Sequence, residues 1–151
     1  MIKVGDPAPD FTLPNTEGGS TTLSEFRGKK HVLLVWFPFA FSGRCTTEFC
    51  QLRDENADLV SSDEVEVIGI SVDQVFALKA WKEQQGYPNS FVADFWPHGG
   101  VSEQFGTLNE NGFTGRWTIL IDKEGIVRYV GGTGTDVRDQ GEWRKALAEL
   151  S

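Results

Sequence analysis

The residues most able to do chemistry here are the chain's only two cysteines, which stand five positions apart in Pro38-Phe-Ala-Phe-Ser42-Gly-Arg-Cys45-Thr-Thr-Glu48-Phe-Cys50. The apolar run Val32–Phe37 precedes them and stops at Pro38. The spacing predicts a strand, a sharp turn, and delivery of Cys45 to the start of a helix. An ordinary thiol is only a few per cent thiolate at neutral pH, and the thiolate is the reactive form. Unpaired N–H groups and the positive dipole end of a helix N-terminus favour that anion. Thiolate character alone does not make a fast catalyst, because a more acidic sulfur is also a weaker nucleophile. A working site must also stabilise charge on the atom that leaves.

Those cysteines need a scaffold, and 151 residues suffice to bury a core as one domain, 1–151. Val32–Phe37 and Val65–Val72 read as buried central strands. Residues 1–28, broken by Pro7, Pro9, Pro14 and Gly18-Gly19, read as a loop and hairpin with short strands near Phe11–Leu13 and Thr21–Leu23. Apolar recurrence at Phe49, Leu52, Ala57 and Val60 predicts a helix from Thr46 to about Leu59. A second helix, Val75–Gln85, ends at Gly86 and presents Ala77, Leu78 and Trp81 on one face. A short strand at Phe91–Asp94 and a two-turn helix at Val101–Phe105 come next. Trp117–Asp122 and Ile126–Tyr129 form a hairpin about Asp122–Gly125, and Glu142–Leu150 is a closing helix with Trp143, Ala146, Leu147 and Leu150 on one side. Gly131–Gly134 lacks the Gly-Lys-Ser/Thr of a phosphate loop and reads as a flexible connection. The pattern is that of an α/β fold with a mixed sheet covered by helices.

Charge and composition narrow the function. A formal net charge of -8 argues against nucleic acid and anionic membranes as partners. No apolar run is long enough for a transmembrane helix. Met1-Ile-Lys-Val-Gly-Asp-Pro7 has no charged head before an apolar core, so no export signal is expected and the expected location is cytoplasmic. In a reducing compartment a cysteine pair is more often catalytic or metal-binding than a structural staple. Zinc held by the cysteines with His31 and His98 is disfavoured: the spacing is wide and His31 opens a buried strand. No metal or cofactor is expected. Arg44 reads as an exposed charge, with electrostatic help to Cys45 the lesser reading. Arg138 reads as a solvated charge near a helix start, with a structural ion pair the lesser reading. His98 reads as a loop residue that a folded-over Phe95–Gly100 loop would bring near the pocket, and Trp36, Trp81, Trp117 and Trp143 read as core. Trp96, in a Pro/Gly loop, is a candidate pocket residue.

Pro38-x-x-x-Ser42-x-x-Cys45 resembles the active-site signature of the peroxiredoxins. Arg116, opening Arg-Trp-Thr-Ile-Leu-Ile-Asp122, matches the family's active-site arginine, and Glu48 matches a glutamate common three residues after the cysteine. The opening Val4–Leu13 segment is similar as well, so the resemblance spans nearly the whole chain. Ala93–Gly100 and Asp136–Gln140 are similar to the alkyl hydroperoxide reductase E type, whereas Cys45-x4-Cys50 resembles the peroxiredoxin Q (bacterioferritin comigratory protein) type. The resemblance implies a thioredoxin-like fold and a thiol peroxidase acting on hydrogen peroxide or organic hydroperoxides. It implies that Cys45 attacks peroxide and that Ser42 hydrogen-bonds the reacting atoms. Arg116 supplies positive charge, Pro38 shields the site, and Glu48 orients Arg116. The reductant would be thioredoxin, a glutaredoxin-like or a mycoredoxin-like protein, and the chain a monomer or homodimer. Competing readings of the same cysteines are a disulfide oxidoreductase, which usually carries Cys-x-x-Cys, and a redox sensor.

Cys50 would resolve the oxidised Cys45. Five residues along an α-helix separate two Cα atoms by roughly 8.6 Å, and a disulfide needs less than about 7 Å. Helix unwinding between the two cysteines is therefore an expected part of the disulfide step. If Cys50 merely packs, an external thiol must do the work.

Overall fold

The computed structural model describes residues 1–133 and 137–150. A five-stranded mixed sheet runs in the order β5-β4-β3-β6-β7. Strands β3 (His31–Trp36), β4 (Val65–Ser71) and β5 (Ser90–Ala93) are parallel, while β6 (Arg116–Ile121) and β7 (Val127–Thr133) continue the sheet antiparallel. A small hairpin, β1 (Thr12–Pro14) with β2 (Ser20–Thr22), forms a separate two-stranded sheet whose Leu13 joins the core. The helices are α1 (Gly43–Glu55), α2 (Ala57–Val60), α3 (Val75–Gln85), α4 (Gly100–Phe105) and α5 (Gly141–Ala148).

Strand β3 is buried on both faces because alternate residues serve two cores. Leu33, Val35 and Phe37 join Phe49, Leu52, Trp81, Tyr87 and Phe91 on one side. Val32, Leu34 and Trp36 join Ile68, Ile70, Phe105 and Ile119 on the other. The period-2 alternation of a strand makes this inevitable once both faces are covered.

Two expectations about the elements fail. The helix expected from Thr46 to Leu59 starts three residues earlier and breaks at Asn56 (φ -127, ψ 33). The buried Asn56 side chain donates to Gln140 Oε1 (2.7 Å) and accepts from Arg144 Nε (2.9 Å), so a tertiary polar contact replaces helix continuity. Gly131 to Thr133, read as a flexible connection, is strand β7; Gly134 lies outside the described residues. The glycines are required by their neighbours. A Cβ on Gly132 would sit 2.4 Å from the Trp117 ring, and one on Gly131 would sit 2.2 Å from the Tyr129 hydroxyl. Trp117 itself is only partly buried, whereas Trp36, Trp81 and Trp143 are core.

Candidate active site

After β3 the chain turns through residues 37–42 and enters α1. Phe37 N–H still pairs with Ile70 O (3.1 Å), and Phe37 O accepts from the buried Thr114 hydroxyl (2.8 Å). Ala40 N–H donates to Asp73 Oδ2 (2.8 Å), which also accepts from the Ser71 hydroxyl (2.8 Å). Phe41 takes a left-handed conformation (φ 68), unusual for a bulky residue. The loop is thus bolted to β4 and to the segment before β6. Pro38 sits half-buried within it.

Ser42 occupies the position before α1, with an extended backbone and an O that accepts from Thr46 N–H (2.9 Å). Its hydroxyl does not cap the helix. It donates instead to Phe39 O (2.8 Å), closing a small ring within the loop. Cys45 lies in the first turn of α1 and is fully buried. Arg44 beside it is exposed.

One turn further, Glu48 is 1% exposed and carries an ion-pair network. Arg116 Nη1 donates to its Oε1 at 2.6 Å. Arg138 embraces both oxygens, Nε to Oε2 at 2.7 Å and Nη2 to Oε1 at 2.8 Å, while the Arg138 backbone N–H adds a third bond to Oε2 (2.9 Å). Arg138 Nη1 continues to Trp117 O (2.7 Å), on the strand that begins with Arg116. Gln140 donates to the Glu48 carbonyl (2.8 Å). Burial pushes the Glu48 carboxyl up, but the Arg138 hydrogen bonds and charge, with the charge of Arg116, outweigh it and hold the group below its ordinary 4.5. A carboxylate this buried persists only because it is paired and fully hydrogen-bonded.

Glu48 and Arg116 therefore meet as expected, 68 residues apart in sequence. Arg138 does not fit its reading as a solvated charge: it is 4% exposed and is the principal partner of Glu48. Nothing periodic announces it, since it follows a Gly/Thr stretch and belongs to no regular element. Asp73, which anchors the loop, gave no sequence signal either.

Cys50 lies on the next turn of α1, partly exposed, with Sγ 3.4 Å from the Tyr87 hydroxyl and 3.8 Å from Gln85 Oε1. Both cysteines are free thiols and the helix between them is intact. His31 opens β3 at the end of the strand opposite to the cysteine loop. His98 contacts Gly112 O from an exposed loop, and Trp96 beside it is 78% exposed. Among the described residues no group of three or more His, Cys, Asp or Glu is placed to hold a metal, and no helix is long and apolar enough to cross a membrane.

Residues 4–130 match the profile of the AhpC/TSA family. The chain belongs to that family, the peroxiredoxins. Alkyl hydroperoxide reductase E of Mycobacterium tuberculosis is 42% identical over 153 residues, covering 100% of this chain and 99% of its own length. Peroxiredoxin Bcp of Escherichia coli K12 is 35% identical over 136 residues, 85% of each chain. Among solved structures, the reduced 2-Cys peroxiredoxin of Plasmodium vivax superposes with a TM-score of 0.85 at 28% identity, covering 99% of this chain and 97% of that one. Peroxidoxin BcpB of M. tuberculosis gives 0.81 at 28% identity, with 99% and 97% covered. The fold is the peroxiredoxin fold, and the chain is a thiol-dependent peroxidase. In this peroxiredoxin the signature Pro38, Ser42 and Cys45 lies on one short loop-to-helix segment, with Arg116 tied to the same helix through Glu48.

Proposed function

We propose that Cys45 is the peroxide-reducing thiol and that Arg116, Ser42 and Pro38 complete its site. The sulfur lone pair attacks one peroxide oxygen. The O–O bond breaks, and the second oxygen leaves with the bonding pair and takes up a proton as water or alcohol. Cys45 is left as a sulfenic acid. Arg116 stabilises the anionic sulfur and the charge on the departing oxygen. The Ser42 hydroxyl turns from Phe39 O to the attacked oxygen, and Pro38 excludes bulk water. The observation that carries this reading is the buried Arg116–Glu48 pair one turn beyond Cys45. Glu48 and Arg138 act as positioning residues, holding the guanidinium at the helix that bears the thiol.

Cys50 then resolves the sulfenic acid as an intramolecular disulfide once the first turns of α1 open, and a thioredoxin-, glutaredoxin- or mycoredoxin-type protein restores the thiols. The substrates are hydrogen peroxide and organic hydroperoxides, turned over in the cytoplasm by a single domain, 1–151. Stopped-flow reaction of the reduced protein with hydroperoxide tests the assignment. A rate no better than that of a free thiol contradicts it. One equivalent of peroxide is expected to consume both thiols in the wild type and one in Cys50→Ser. If the wild type keeps one of its two thiols, an external thiol resolves Cys45.

A further inference from the structure

The residue that has no part in the peroxide step yet touches both cysteine turns is Tyr87. Gly86 ends α3 in the left-handed conformation (φ 67), and Tyr87 N–H closes the turn on Lys82 O (3.1 Å). This throws the Tyr87 ring into the core, against Trp81 (5.0 Å between centroids), Phe49 (5.8 Å) and Phe91 (6.0 Å). The hydroxyl emerges against α1. There it donates to Thr46 O (3.2 Å) and stands 3.4 Å from Cys50 Sγ, whose S–H can donate to it. Trp81 Nε1 adds a bond to the Thr46 hydroxyl (3.3 Å). Thr46 follows Cys45 directly, and its carbonyl is the α-helical acceptor for Cys50 N–H. One phenol therefore grips both ends of the span that separates the two thiols.

That span must open before a disulfide can form, because intact helix holds the two Cα atoms roughly 8.6 Å apart. We propose that the Tyr87 hydroxyl is a latch on residues 46–50, a positioning residue that sets how fast Cys50 reaches oxidised Cys45; this rests on reading Cys50 as the resolving thiol. In the step it controls, Cys50 loses its proton and its sulfur attacks the Cys45 sulfur. The S–S bond forms, the S–O bond breaks, and the hydroxide leaves as water with that proton. The oxidising equivalent is the one peroxide already delivered to Cys45. Before attack, Cys50 releases Tyr87, and Thr46 O loses its helical and its phenolic donor. A closed latch prolongs the sulfenic acid and so its exposure to a second peroxide, which yields sulfinic acid.

The test compares reduced wild type, Tyr87→Phe and Cys50→Ser on mixing with hydrogen peroxide, following the peroxide-dependent and peroxide-independent phases by tryptophan fluorescence and the products by mass. Tyr87→Phe keeps the ring and removes the grip. Its peroxide-independent disulfide phase is expected to run about fivefold faster, as the loss of one net hydrogen bond dictates. Its peroxide-dependent phase should be unmoved, and less sulfinic acid should form in excess peroxide. A disulfide phase as slow as wild type, or slower, overturns the latch. A wild type that forms no disulfide, or a Cys50→Ser protein that keeps the phase, overturns the resolving role of Cys50 and the latch with it. Should Tyr87→Phe not fold, hydrogen exchange of the reduced wild type reads the same contact. Amides 46–50 are expected to be as protected as 51–55, and free exchange confined to 46–50 overturns the proposal.

Discussion

Helix α1 is held on two sides by opposite chemistry. On one, Phe49 packs edge-on to Phe37 (5.0 Å) and Trp81 (5.5 Å) and tilted on Phe91 (5.0 Å). On the other, the adjacent Glu48 is clamped by Arg116, Arg138 and Gln140. Burial of aromatic surface is strong but poorly directional, so it fixes the helix against the sheet without aiming any particular atom. Charge-assisted hydrogen bonds are short and directional, so the ionic side fixes the Arg116 guanidinium against Glu48. The aromatic side supplies stability, and the ionic side supplies geometry at the cost of desolvating three charges.

That division is open to direct attack. Arg138→Met should have the largest effect, because it leaves a buried carboxylate with half its partners: a loss of about 3–5 kcal/mol in urea unfolding. Per folded molecule, oxidation of Cys45 should also slow by about 10²-fold as Arg116 loses its register. Phe49→Ala should cost a similar stability, about 3–5 kcal/mol, yet leave the peroxide rate of the folded fraction near wild type. Equal rate losses in the two variants would erase the distinction. Gly132→Ala, which forces a methyl onto the Trp117 ring, should destabilise by about 1–3 kcal/mol with no change in rate. The smallest effect is in pH. The Glu48 carboxyl titrates below its ordinary 4.5 in the folded protein, so its stabilisation is complete above that value and is lost as pH falls through the folded value. The acid slope of the urea midpoint should flatten in Glu48→Gln; an unchanged slope would assign acid sensitivity to other carboxylates.

The aromatic side was legible in the sequence, because strand and helix periodicities mark Val35, Phe49, Leu52 and Trp81 without knowledge of their partners. Cys45, Ser42 and Pro38 were legible because they are local, and α3 was bounded to the residue by its Gly86 stop. The ionic side was half legible. Arg116 opens a clear strand, but Arg138 lies outside any helix or strand and meets Glu48 across 90 residues, a contact that no period encodes. The break of α1 at Asn56 and the strand at Gly131 to Thr133 were hidden for the same reason. A buried amide pairing with Gln140 and an aromatic ring demanding a neighbour without a Cβ are tertiary facts.

The central claim, that the ionic side exists to aim Arg116 at the reacting thiol, is tested most directly by the second-order rate of Cys45 oxidation in Arg116→Ala, measured by stopped flow under conditions where both proteins are folded. The account predicts a fall of about 10²–10³-fold. An undiminished rate would contradict it.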